Sequence, residues 1–182
     1  MININVVARI ADDKNFFLDL IYLLHKLKEE NIDDVQVLFI GAIQNYGIYE
    51  GVLNMADLLS VSSQISFTKA SIRVNELPAD VQQGYFLHFC VGDFIGYSGM
   101  ESIQNGYKNI FYNADRRVKP EARKHTNFCE DINALIDFVK RLAKEQAIVD
   151  DEISQNSLKI LNDFALTAND KSTLLSLLTP NK

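Results

Sequence analysis

Two short runs constrain this chain most. "VQVLFIG" (35–41) and "YFLHFCV" (85–91) place apolar side chains on consecutive rather than alternate positions, as strands do when both faces of their sheet are covered. Between and beyond them the period changes to that of a helix. Phe17, Leu20, Ile21, Leu24 and Leu27 form one stripe, and Val52, Met55, Ala56 and Leu59 a second. Ile132, Leu135, Ile136, Val139 and Ala143 form a third, and Ile153, Ile160, Leu161 and Phe164 a fourth. "INVVARI" (4–10), "QISF" (64–67) and "NIFYN" (109–113) read as further strands, and "NELPADVQQG" as a helical turn with a loop. The alternation predicts βαβ units, hence an α/β, doubly wound, mostly parallel sheet of about five strands. "KEQAIVDDE" (144–152) is the one plausible seam, dividing a body at 1–146 from a helical tail at 147–182.

Charge and apolar content exclude several functions. A net charge of −6 argues against sequence-independent nucleic-acid binding, which draws on Lys and Arg neutralising phosphates. Apolar runs fall short of the roughly 18 residues that span a bilayer, and the first residues lack a signal-peptide layout, so a cytoplasmic location is expected. Cys90 and Cys129 lack metal-like spacing and read as reduced, buried thiols.

In doubly wound sheets ligands bind beyond the carboxyl ends of the strands, where strand order reverses. Arg9 closes the first strand run, and Lys14 stands where the next helix opens, a position suited to phosphate. The alternative is local pairing of these cations with Asp12 and Asp13. The stretch "DFIGYSGMESIQNG" (93–106) also reads two ways. Ser98 and Glu101 fit a capping box, with Ser98 at the helix start and Glu101 reaching back to its N–H. Equally, Gly96 and Gly99 let backbone amides approach an anion while Asp93 and Glu101 accept from sugar hydroxyls. "RRVKPEARKH" (116–125) reads as a solvated loop or as a patch for an anionic partner or membrane headgroups. His25 is a weak signal, and His88 reads as a satisfied core histidine. No Ser-His-Asp order, zinc spacing, P-loop or dinucleotide fingerprint is present.

Taken in order, these segments resemble the C-terminal, donor-binding half of GT-B glycosyltransferases, particularly the retaining family 4 (group 1) transferases. "ARIADDKNF" supplies Arg and Lys five residues apart after the first strand; "VLFIG" ends in Gly41; "ELP" supplies Glu76, Leu77 and Pro78. The family's hallmark of two glutamates separated by seven residues becomes Asp93, "FIGYSGM", Glu101, with Gly106 following. The resemblance covers roughly residues 4–145, and the tail is similar to the family's closing helices. It implies a Rossmann-like fold, a single GT-B half, and a nucleoside diphosphate sugar as substrate with no metal. Arg9 and Lys14 would hold the donor diphosphate. Asp93 and Glu101 would be the catalytic carboxylates, Glu101 on the ribose and Asp93 near the sugar. Gly41, Gly96, Ser98 and Gly99 would complete the nucleotide and sugar site.

A complete GT-B enzyme has a second Rossmann-like domain carrying the acceptor site, so the resemblance implies an N-terminal domain or partner subunit. It also implies work in cell-surface polysaccharide or glycolipid assembly, with peripheral association at the inner face of the membrane. The pattern departs at Asp93 for Glu, at Phe94 for Gly, and at Gly41, which lacks a neighbouring Gly. Those departures favour a second reading, a non-catalytic interaction module that kept the fold.

Overall fold

The structure is a computed structural model that describes residues 1–12, 16–90, 96–114, 127–164 and 168–178. Its centre is one six-stranded sheet, built from β1 (Ile2–Val7), β2 (Val35–Ile40), β3 (Ile65–Phe67), β4 (Tyr85–Phe89), β5 (Lys108–Tyr112) and β6 (Phe128–Cys129). The order is β3-β2-β1-β4-β5-β6, and every pairing is parallel. β1 runs in register with β2 from Ile2 opposite Val35 to Val7 opposite Ile40, and pairs with β4 through Ile4 opposite Tyr85. Strand order therefore reverses between β1 and β4, as in dinucleotide-binding folds. The sixth strand exceeds the expected five; two residues are too few to carry a period.

The helices are α1 (Phe17–Glu29), α2 (Tyr46–Leu58), α3 (Ala79–Gln82), α4 (Tyr97–Gln104), α5 (Ile132–Lys144), α6 (Gln146–Phe164) and α7 (Ala168–Leu178). Strand alternation splits the core. Ile4, Val6, Val37, Phe39, Leu87 and Ile110 pack on one face against α1, α2 and α5. Ile40, Phe86 and Phe111 lie on the other, under α3, α4 and the end of α6. All five residues of the α1 stripe are buried, at no more than 1% exposed. In α5 the stripe differs at its end: Ala143 is exposed and Leu142 is buried in its place. Asp131 caps α5, its carboxylate accepting from the Ala134 N–H at 2.9 Å.

Only Glu145 separates α5 from α6. α6 then passes under the amino-terminal ends of β4 and β5. Val149 and Ile153 join the first core face, and Ile160 joins Cys90, Ile103 and Phe111 on the second. At the crossing the Asp150 carboxylate accepts from the Tyr85 hydroxyl at 2.6 Å and from Lys108 at 2.8 Å, and Gln146 donates to the same hydroxyl at 3.1 Å.

Burial, reinforced by the hydrogen bond to Asp150, pushes the Tyr85 hydroxyl well above its ordinary pKa of 10.0. Below that pH the phenol is neutral in both folded and unfolded chains. Above it the unfolded chain releases a proton that the folded chain keeps, so stability should fall as pH rises from about 10. Denaturant unfolding between about pH 8 and 11 should show this fall, and Tyr85→Phe should flatten its tyrosine-dependent part.

Candidate functional site

The ladder between β1 and β2 continues past the strands and positions the loops that follow them. Ala8 N–H donates to Ile40 O, Ile10 N–H to Ala42 O, and the N–H groups of Gln44 and Asn45 both donate to Ile10 O, all at 2.9–3.0 Å. Ala8 and Ile10 are buried in the first core face, so alternation carries Arg9 to the other face, the one that bears Val7. Arg9 is exposed there, and its guanidinium donates to Gln44 Oε1 at 3.5 Å. Asp12 accepts from Asn45, the cap of α2, at 2.5 Å. Gly41 lets the loops close. A Cβ on it would lie 2.2 Å from Ala8 O, which no side chain tolerates, and its N–H donates to Thr68 Oγ1 at 3.1 Å.

On that same face a cavity of about 450 Å³ opens at the reversal point. Its walls are Val7 of β1, Phe86 and His88 of β4, the segment 72–75 after β3, and one side of α4. Ser98, Glu101, Ser102 and Asn105 line that side at helical spacing. Apolar Phe86, Ile72 and Val74 form the slot; hydroxyl, carboxylate and amide groups rim it. Such a lining suits a ring with polar edges. A larger hollow, about 560 Å³, lies at the opposite edge among Met1, Gly84 and Lys108. Because parallel sheets present ligands at their carboxyl ends, the smaller cavity is the candidate.

α4 does not begin as a capping box. Its cap is Gly96, at φ +86°, and among the described residues no side chain caps its first turn. Ser98 is thus the second helical residue, and no hydrogen bond from a described residue reaches the Glu101 carboxylate, which is exposed. Glycine alone takes that φ without strain, so the chain turns two residues earlier than Ser-x-x-Glu suggests. The N–H groups of the first turn, which no described side chain caps, open at the carboxyl edge of the sheet, where an anion would satisfy them. Gly99 is buried on the inner side of α4.

His88 is 8% exposed, and its Nε2 lies 2.8 Å from Asn109 Oδ1, so the reading of a satisfied histidine holds; the cavity wall it forms was not legible. Sequence reasoning also missed Arg73, Asn75 and Asn105, exposed polar residues at the cavity with no pattern to mark them. Lys14, Asp93 and the basic run 116–125 lie outside the described residues. Among the described residues there is no group of three or more His, Cys, Asp or Glu that could hold a metal ion, and no helix long and apolar enough to cross a membrane.

No protein-family model and no curated protein matches the sequence. Solved structures do match the fold. A glycosyltransferase from Rickettsia africae ESF-5 superimposes with a TM-score of 0.74 at 15% identity, over 100% of this chain and 49% of that one. The fold is the Rossmann-like fold of GT-B glycosyltransferase domains. Anabaena HepE, solved in complex with UDP and glucose, shares it with a TM-score of 0.69 and 13% identity, over 96% of this chain and 47% of that one. The C-terminal domain of LpcC, a glycosyl transferase group 1 family protein from Francisella tularensis, gives 0.64 and 16%, over 90% of this chain and 85% of that one. This chain thus spans about half the length of the first two structures and most of the isolated domain.

Gly41→Ala tests the loop geometry. Overpacking against Ala8 O should cost roughly 1–3 kcal/mol, and each kcal/mol should lower the thermal midpoint of a chain this size by about 2–4 °C. Gly41→Ala should therefore melt lower than wild type in a calorimeter, while Gly51→Ala, whose Cβ meets open space, should not.

Proposed function

We propose that this chain binds the donor of a glycosyl transfer, a nucleoside diphosphate sugar. The cavity takes the nucleoside, and Arg9 with the first-turn amides of α4 takes the diphosphate. The observation that supports this reading is the cavity at the strand-order reversal, with Ser98 and Glu101 on its wall, and alternation along the first strand directs Arg9 to the same face of the sheet. HepE, with the same fold, is recorded with UDP and glucose, which supports the ligand class. In this reading Glu101 accepts from the ribose hydroxyls, and the base lies in the slot between Phe86 and the segment 72–75. Lys14 adds a second cation, Gly41 keeps the loop bearing Arg9 in place, and Asp93 stands near the sugar.

Chemically, the slow event is departure of the nucleoside diphosphate, on which negative charge grows as the sugar–oxygen bond breaks. A fixed guanidinium and oriented N–H groups stabilise that charge more in the transition state than in the bound donor. An acceptor must also be held at reacting distance, and an N-terminal domain, in cis or as a partner, would supply that. Retaining family 4 chemistry, a role in surface polysaccharide or glycolipid assembly, and a place at the inner face of the membrane belong to the same proposal. Asp93 and Phe94, the departures from the hallmark, favour a second reading, a module that has lost transfer.

Thermal unfolding with UDP, GDP, ADP and their sugar conjugates tests the proposal. Ligand at about 100 times its dissociation constant adds roughly 2.7 kcal/mol, so one nucleotide class should raise the midpoint by about 5–10 °C. Charge-assisted hydrogen bonds contribute roughly 1.5–3 kcal/mol each, so Arg9→Ala and Glu101→Gln should each weaken binding tenfold or more and remove about half of the shift or more. A folded chain that shifts with no nucleotide would overturn the donor reading.

A further inference from the structure

Under the cavity lies a polar cluster in a layer that apolar residues could fill. Asn109 is fully buried, and Ser102 and His88 are 6% and 8% exposed. Asn109 Nδ2 donates to Tyr107 O at 2.6 Å. Turning the amide over would set two oxygens against each other at that distance, so its orientation is fixed by chemistry. Asn109 Oδ1 must then face Ser102 Oγ at 2.5 Å and His88 Nε2 at 2.8 Å, and an amide oxygen only accepts. Ser102 therefore donates, and His88 carries its proton on Nε2. Its ring is held further by stacking on Phe111, with centroids 5.5 Å apart.

The cluster ties together the two walls of the cavity. Ser102 follows Glu101 on α4, Asn109 sits on β5, and His88 forms the wall on β4. On its other side α4 is held by Ile103, which packs without directional preference against Phe111 and Ile160. Apolar packing fixes how close α4 lies; the Ser102–Asn109 hydrogen bond fixes its rotation. Rotation matters here because Glu101 is one residue away, and a turn of a short helix swings that carboxylate across the slot. A buried network costs more than an apolar layer unless every member is satisfied, and a satisfied one selects a single arrangement.

We propose that Ser102, Asn109 and His88 are positioning residues for the ligand site: they set the direction of the Glu101 carboxylate and hold His88 on the cavity wall in its Nε2–H form. The proposal rests on the donor reading above.

The test is a double-mutant cycle on the full chain, with dissociation constants measured by titration calorimetry for the nucleotide class that the thermal series selects. Ser102→Ala should weaken binding about tenfold, and Ser102→Thr, which keeps the hydroxyl, should recover most of it. In a Glu101→Gln background Ser102→Ala should cost little more, because the residue acts through Glu101. An equal loss in both backgrounds, or no loss in either, would overturn the positioning role while leaving the donor reading intact. Nitrogen-15 NMR of the histidine rings adds a readout independent of nucleotide: wild-type His88 should be the Nε2–H form, and the Nδ1–H form would overturn the proposal. A well-folded wild type that binds no nucleotide would remove the donor reading, and the positioning role would fall with it.

Discussion

β1 exchanges backbone hydrogen bonds with β2 on one side and with β4 on the other, and both neighbours run parallel to it. Parallel pairing forces each connection to cross over a face of the sheet. On leaving β1 the chain builds outward one way, through α1 to β2 and β3, then returns to build the other way through β4, β5 and β6. Beyond the carboxyl ends of β1 and β4 the reversal leaves a cavity among the described residues. Arg9, the cavity and α4 all occupy positions set by that reversal. The apolar faces of β1 make it possible: Ile4 is fully buried, and Asn5, the one polar residue at its middle, gives its Nδ2 to Val81 O at 2.7 Å.

Precision at the site comes from a few close contacts. Gly41 brings the second loop against Ala8 closer than any side chain would permit, and the continued ladder makes the segment 8–10 a stiff extension of the sheet. A side chain on such a segment loses less freedom when it meets an anion than one on a loose loop. α4 reaches similar definition by other means, with Gly96 setting its start and buried Ser102 and Ile103 setting its seat.

The sheet and its long helices were legible because burial on both faces and the 3.6-residue period leave strong local signals. All five stripe residues of α1 are buried, and β2 ends at Ile40, directly before Gly41. β6 was missed because two residues have no period, and β1 starts earlier and ends earlier than its apolar run because the ladder beyond Val7 is strand-like without being a strand. The start of α4 was ambiguous because Ser98 and Glu101 match a capping pattern, while Gly96, two residues earlier, tolerates a backbone angle that decides the matter. Ser102 and Asn109 carried no signal. Their meeting depends on the register of β5 against β4 and on the seat of α4, which sequence spacing does not encode. Gly41 was legible as a strand stop, but the contact that requires glycine lies with a residue 33 positions away.

α6 gives Val149 and Ile153 to one side of the sheet and Ile160 to the other. On a ribosome, where the chain emerges amino end first at about 5–20 residues per second, the strands appear long before the segment that seals them. Neither apolar layer is complete until residues near 160 have left the exit tunnel. The β-rich part of the chain thus waits with both faces incompletely covered, and the risk of wrong pairing is concentrated in that interval. One helix, made late, closes both layers together.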